Sequence, residues 1–503
     1  MLNKLRHTVK HTVIYSIGNI STKIIGLILL PLYTGFLSTA EYGVLSILEV
    51  TSLFLVASVG FRLSTAMMRW YATEKDEQRK KSIIFNTYIS TLLIVGVFLI
   101  IVLPLTNQAS VLFFDSNTFA HYFTILFGWV ALEIINRITM DLIRLHERSI
   151  FFITITIIKF LSVLVLNILF VAQWNYGVEG IILSQLLGNL LVLLITSVFI
   201  GKNIWGGRID LRLFWDMVHY GFPLIFSTVS MMILTLSDRY LLKELADYSS
   251  VGIYSLAYKL AGVINIFVIQ SFQLGFLPIA YKMFEKEGAK EFFAKVLTYL
   301  VFMLFVIAIL VSFFSKEVIM IFAPSNKDYW IAYTVVPLLS LTFVLKGMNY
   351  MFSLGLHYVK KTKYNAYIVS VIALLNIGMN IVLIPEIGMY GAAITTILSN
   401  IIMVVAFYHF SQKYYRINFE MKRLYMLFAV GVGYMFVGLE VDLNIDKIWM
   451  AFLFKMILFI SFPFVLSLLG FFEKIEIDNL RMAWLKWRNP LKWLKNIKKL
   501  QKK

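Results

Sequence analysis

Asn167-Ile-Leu-Phe-Val-Ala-Gln-Trp-Asn-Tyr-Gly-Val-Glu-Gly180 and Asn380-Ile-Val-Leu-Ile-Pro-Glu-Ile-Gly-Met-Tyr-Gly391 read as two copies of one passage. Each closes an apolar run, turns at a GxxG step and enters another run. Downstream, Ser184 and Asn189 are matched by Thr395 and Asn400. The glycine pairs Gly177/Gly180 and Gly388/Gly391 lie 211 residues apart. A shorter echo joins Tyr42-Gly43-Val44-Leu45-Ser46 to Val251-Gly252-Ile253-Tyr254-Ser255. Glycine and asparagine recur at span starts in many membrane proteins, so their shared order carries the weight. Each unit holds six apolar runs. An even number preserves orientation, which relates the copies by an axis along the membrane normal.

The surrounding composition demands a membrane. Of 503 residues, 59% are hydrophobic and 15% charged, and the mean hydropathy is +0.80; soluble domains have about 45–50% and about 25%. Soluble, disordered, fibrous and disulfide-stapled classes are excluded. A helical crossing takes about 20 apolar residues, and fourteen such runs extend from Val13–Leu37 to 448–470. Helices satisfy their own backbone in lipid, whereas open strands do not. The expected fold is an all-α polytopic membrane protein with about 14 transmembrane helices. Two pseudo-symmetric six-helix lobes, 1–205 and 206–422, are followed by two additional helices in 423–470 and a basic amphipathic tail, 471–503.

Loop charge gives the orientation. The chain holds 46 Lys and Arg against 28 Asp and Glu, a net +18. Thirty-three of those 46 fall in one set of loops, including 69–82, 357–364 and 471–503, while the opposite loops hold only Lys243, Lys316, Lys327 and Lys447. Positive loops stay inside, so both termini are expected to be cytoplasmic. Most of the surplus is therefore topology, and no nucleic-acid partner is expected. The tail carries an apolar stripe of Ile477, Leu480, Trp484, Trp487, Leu491 and Leu494 beside Lys and Arg, which suits a helix lying on anionic lipid; docking onto a cytoplasmic enzyme is the alternative. The opposite loops are too short for an external catalytic domain. With no GxxxxGK[ST], HExxH or cysteine, neither an enzyme, a cofactor nor a metal centre is expected.

Nine basic residues remain inside the runs: Lys23, Arg62, Arg137, Lys159, Arg239, Lys259, Lys295, Lys346 and Lys455. A charge at the bilayer centre costs about 2.5–3.5 kcal/mol and faces a partner or a watery cavity. Lys23, Arg62, Lys159, Arg239, Lys259 and Lys346 are the candidates for a cationic cavity that binds an anionic head group. Snorkelling to the interface is the alternative, above all for Arg62, Lys346 and Lys455. Glu133, Arg137 and Asp141 form an i, i+4, i+8 ladder expected to neutralise itself. Glu49 and Asp238 are candidates for ion coupling or a gate; the alternatives are a salt bridge to another span for Glu49 and a local balance with Arg239 for Asp238. Pro31 is a candidate helix bend. The cationic excess favours an anionic cargo such as a pyrophosphate.

Three passages resemble the polysaccharide-transporter branch of the MOP superfamily, the Wzx-like flippases of lipid-linked oligosaccharides. They are Leu30-Pro31-Leu32-Tyr33 with Glu41-Tyr42-Gly43, Asp238-Arg239-Tyr240-Leu241 with Gly252-Ile253-Tyr254, and Asn380 through Pro385 with Gly388 and Gly391-Ala392-Ala393. Each is short, and their order across the whole chain carries the resemblance. It implies a V-shaped pair of lobes that moves an undecaprenyl-pyrophosphate-linked glycan from the cytoplasmic to the outer leaflet for a cell-surface polysaccharide such as O-antigen. It also implies membrane lipids, glycosyltransferases and a polymerase as partners, and coupling to a H⁺ or Na⁺ gradient or to the membrane potential. The alternatives are a lipid II flippase and a MATE-like cation-coupled antiporter of a small solute, with a synthase subunit more distant.

Overall fold

The computed structural model describes residues 26–361, 363–474 and 476–478. Lys23 and the tail beyond residue 478 lie outside the described residues, as does most of the expected first span. Every regular element among the described residues is helical. The first half comprises α1 (Leu30–Phe36), α2 (Thr39–Val59), α3 (Leu63–Thr73), α4 (Glu77–Val102), α5 (Thr106–Phe114), α6 (Ala120–Leu145), α7 (Ser149–Asn167) and α8 (Gly177–Ile204). The second comprises α9 (Leu211–Leu245), α10 (Tyr248–Ala261), α11 (Ser271–Met283), α12 (Ala289–Phe322), α13 (Val336–Tyr358) and α14 (Lys363–Tyr414), with α15 (Met421–Asn444) and α16 (Ile448–Leu468) following.

Among the described residues, eleven helices are long and apolar enough to cross a membrane, or twelve if the bent pair Lys327–Thr334 and Val336–Tyr358 is one span. The expected fourteen is not reached by that count, for two physical reasons. The first span is described only from Gly26, and α14 is 52 residues long, about 78 Å at 1.5 Å per residue, which exceeds one crossing. Its helical path breaks at Ile387 (φ −134°) and Gly388 (φ +54°). Large apolar side chains such as Leu93, Ile100, Val198 and Leu374 stay exposed, as a surface solvated by lipid requires.

Both GxxG steps do the same work. Gly177 (φ +52°) and Gly388 (φ +54°) take the left-handed conformation that favours glycine. Three residues on, a Cβ at Gly180 would lie 2.8 Å from the Phe170 side chain, and one at Gly391 would lie 2.5 Å from the Leu383 carbonyl. The first glycine turns the chain and the second lets the next helix press against the preceding one. The asparagines also repeat their pairing. Asn136 donates to Asn189 in the first half (3.1 Å), and Asn349 donates to Asn400 in the second (3.3 Å).

The halves meet where α2 crosses α10. Ser38 caps α2 in a capping box with Glu41, and Asp247 caps α10 through the Ser250 amide. A Cβ at Gly43 would lie 2.0 Å from the Tyr248 carbonyl, and one at Gly252 would lie 2.0 Å from the Thr39 carbonyl. This reciprocal contact is that of a two-fold joint. Thr39 and Ser249 add a hydroxyl pair at 2.6 Å. Tyr329, from the segment before α13, donates toward the Leu37 and Ser38 carbonyls, and Asn326 donates to Leu37.

Two expectations about charge are corrected. The α6 ladder does not neutralise itself. Glu133 pairs with Lys159 on α7 and Asp141 with Arg144, while Arg137 borders a small pocket with Arg62. Lys455 does not snorkel. It is fully buried, 2.7 Å from Glu317 on α12 and 2.8 Å from Asp442 on α15. Pro31 sits in the first turn of α1, after a helical break at Leu29, where no intrahelical N–H is needed.

Candidate substrate cavity

A cavity of 1290 Å³ opens between α2, α9, α10, α11, α13 and α14. It starts beside Glu49 and Lys259, just past the α2–α10 crossing, and reaches His357 and Asn365, which flank the basic 357–364 loop. Pro223, inside α9, and a π-helical stretch, Asn265–Gln270, form parts of the wall.

Two cations, Arg239 and Lys346, meet at Tyr258, and a third, Lys259, follows it in the chain. Lys259 pairs with Glu49 across the two halves at 3.1 Å, both side chains partly exposed, and lies 5.1 Å from the Tyr42 ring centre. Lys346 on α13 lines the cavity and donates to the Tyr258 hydroxyl at 3.2 Å. Arg239 is buried against the same ring, with its guanidinium 4.5 Å from the ring centre and one nitrogen 3.4 Å from the Thr235 carbonyl. Lys346 and Arg239 have no carboxylate partner among the described residues.

The cluster thus brings together Arg239, Lys259 and Lys346, with Glu49 as counter-ion. Two other candidates lie elsewhere. Lys159 is held inside the first half by Glu133 (2.9 Å) and Asn189 (2.8 Å). Arg62 caps α3 in the left-handed conformation (φ +53°), beside Arg137 in the small pocket, and its Nε is buried without a hydrogen-bond partner.

Asp238 lies in a separate, fully buried cluster. Arg239 does not balance it, because that guanidinium faces Thr235 and Tyr258. The Asp238 carboxylate instead accepts from Tyr254 (2.7 Å), Thr396 (2.9 Å) and the Asn380 amide (3.1 Å). The Thr396 hydroxyl also lies 2.9 Å from the Ala392 carbonyl, and Thr395 lies 2.5 Å from the Asn380 amide oxygen. A buried carboxylate surrounded by neutral oxygen donors and acceptors is a setting that suits a proton or a small hard cation. Among the described residues the first half has no counterpart. Leu29 stands 209 residues before Asp238, and Asn167, in the place of Asn380, binds only the Val163 carbonyl on its own helix.

Sequence reasoning overlooked Tyr258, Asn349, Tyr350, Asn376 and Thr396. Asn380 and Asn400 were visible in the repeat, but their partners were not. No group of three or more His, Asp or Glu that could hold a metal occurs among the described residues.

Residues 8–284, more than half of the chain, match the family described as polysaccharide biosynthesis protein. An uncharacterised membrane protein of Methanocaldococcus jannaschii is 24% identical over 297 residues, 55% of this chain. That match spans 56% of the relative's own length. The fold is similar to that of the lipid II flippase MurJ in an inward closed conformation, with a TM-score of 0.72 and 18% identity over 90% of this chain and 98% of that one. It is also similar to an inward-facing multidrug resistance MATE family transporter of the MOP superfamily, with a TM-score of 0.65 and 14% identity over 79% and 97%. The chain is a multi-pass membrane protein with the MOP transporter fold, and it belongs to the polysaccharide biosynthesis protein family.

Proposed function

We propose that the chain is a flippase. It carries an undecaprenyl-pyrophosphate-linked oligosaccharide from the cytoplasmic to the outer leaflet of a bacterial plasma membrane, by alternating access, for cell-surface polysaccharide synthesis. The observation that supports this most is the large cavity with Lys259 and Lys346 in its wall and Arg239 against the Tyr258 ring. Pyrophosphate oxygens accept charge-assisted hydrogen bonds from such groups, and these are about twice as strong as neutral ones. Loop charge assigns the 357–364 end to the cytoplasm, so the described state is inward-facing, with the α2–α10 joint closing the outer side.

Two acids then take different roles. Glu49 is a gate residue, because its partner Lys259 belongs to the other half. Asp238 is the coupling residue, since its oxygen-rich surroundings suit Na⁺ or H⁺ and its burial links protonation or cation binding to the packing of α9 against α14.

Transport of a lipid-linked oligosaccharide in proteoliposomes tests the reading. Lys259→Gln with Lys346→Gln should stop flipping while leaving abundance and thermal stability close to wild type. Undiminished flipping by the double variant would remove the cationic cluster from the head-group site. Lipid II offered in the same assay separates the peptidoglycan-precursor alternative, which uses the same cavity.

A further inference from the structure

The cavity wall is not uniform. Glu49 is its single carboxylate among the lining residues and is paired at the Lys259 end. Beyond Lys346 the α13 face turns neutral, with Asn349, Tyr350, Ser353 and then His357 all lining the cavity. They follow Lys346 by three, four, seven and eleven residues, so they form one stripe, advancing about 5.4 Å per turn away from the cation.

Two atoms on that stripe lack hydrogen-bond partners among the described residues. Asn349 is 6% exposed and gives its amide nitrogen to Asn400, but its Oδ1 is buried without a hydrogen bond. The Tyr350 hydroxyl is likewise buried and unpartnered. Leaving such a group unsatisfied costs about 1–3 kcal/mol, a cost that a ligand's hydroxyl groups would remove. Across the cavity, the π-helical stretch brings Asn265 to the wall, and Gln273 follows it. Single-turn π segments often mark functional sites in helices.

We propose that the wall around Asn349 and Tyr350 is a sugar subsite for the uncharged pyranose joined to the pyrophosphate. This deepens the flippase reading and rests on it. The pyrophosphate sits at Lys346 and Lys259. The first sugar lies one helical turn further along α13, its hydroxyls meeting Asn349 Oδ1 and Tyr350 Oη and one ring face lying against an aromatic side chain. The glycan then runs along the stripe toward His357. Amide and phenol groups can both donate to and accept from sugar hydroxyls, and around Asn349 and Tyr350 the described wall presents no Lys, Arg, Asp or Glu that selects an acidic sugar.

The test compares two soluble probes on the full-length protein in nanodiscs, farnesyl pyrophosphate and farnesyl-pyrophosphoryl-N-acetylglucosamine, by calorimetry. The sugar-bearing probe should bind wild type more tightly. Tyr350→Phe and Ser353→Ala should each reduce that advantage by about threefold to tenfold, the worth of one neutral hydrogen bond, while leaving farnesyl pyrophosphate unchanged. Lys346→Gln should weaken both probes by the same factor. Equal binding of the two probes to wild type, or an advantage that survives both α13 substitutions, overturns the subsite. Failure of farnesyl pyrophosphate itself to bind wild type overturns the head-group reading, and the subsite with it.

Discussion

The Ser46 and Ser255 hydroxyls lie 2.6 Å apart, although 209 residues separate them in sequence. Each holds the same place in its own half, and each bonds to its own counterpart. With Gly43 and Gly252 in mutual contact one turn earlier, the duplicated passage meets itself, as expected when a two-fold axis passes between α2 and α10.

The chain has no cysteine, so this pair can be locked without background. Ser46→Cys with Ser255→Cys should form a disulfide under oxidation, since neighbouring hydroxyls at that distance bring their Cβ atoms near bridging range. Transport should stop on oxidation and return with reductant. Oxidised protein that still transports would show that the joint does not open in the cycle.

Gly43→Ala places a methyl group against the Tyr248 carbonyl. The joint should loosen, shifting the population toward the state open on the α2–α10 side, and Gly252→Ala should do the same. Spin-label distances across the joint in each variant check this, and unchanged distances would refute it.

Asp238→Asn keeps the hydrogen-bonding shape but removes the charge. If Asp238 binds Na⁺, the wild-type Tm should rise when NaCl replaces choline chloride at constant ionic strength, because a ligand of the native state stabilises it. The variant should show no such rise. A rise retained in Asp238→Asn would place the ion elsewhere, and no rise in either would favour a proton.

Lys455→Met should destabilise the protein by about 3–5 kcal/mol, the usual cost of stranding the partners of a buried charge. Here Glu317 and Asp442 lose their shared cation. Adding Glu317→Gln and Asp442→Asn should recover most of the loss. Thermal unfolding in detergent measures both steps, and an unaffected single variant would show that the cluster is not structural.

Glu49→Gln frees Lys259 from its partner. Farnesyl pyrophosphate should then bind more tightly, whereas Lys259→Gln should weaken it by tenfold or more, about 1.4 kcal/mol. Titration calorimetry distinguishes the two directions.

Sequence made the scaffold legible because its signals are local. Apolar run length reveals a span, and a GxxG step reveals a turn with a close approach. The turns at Gly177 and Gly388 followed from that, whereas the partners of Asn189 and Asn400 did not. The site was only partly legible, because it depends on which way each helix faces. Lys159 and Lys259 both lie within apolar runs, yet the first turns inward to Glu133 and the second faces the cavity. Asp238 gave no hint that its shell would come from Asn380 and Thr396, 142 and 158 residues away. Lys455, read as a candidate for snorkelling, found its acids on α12 and α15.

That last triad sets what can move. Separating α16 from α12 would strand charges in a medium that cannot solvate them, so α15 and α16 travel with the second half as cargo bolted to a hull. Any lipid tail resting on those two helices is carried by the rocking of that half, and does not lie along a fixed rail.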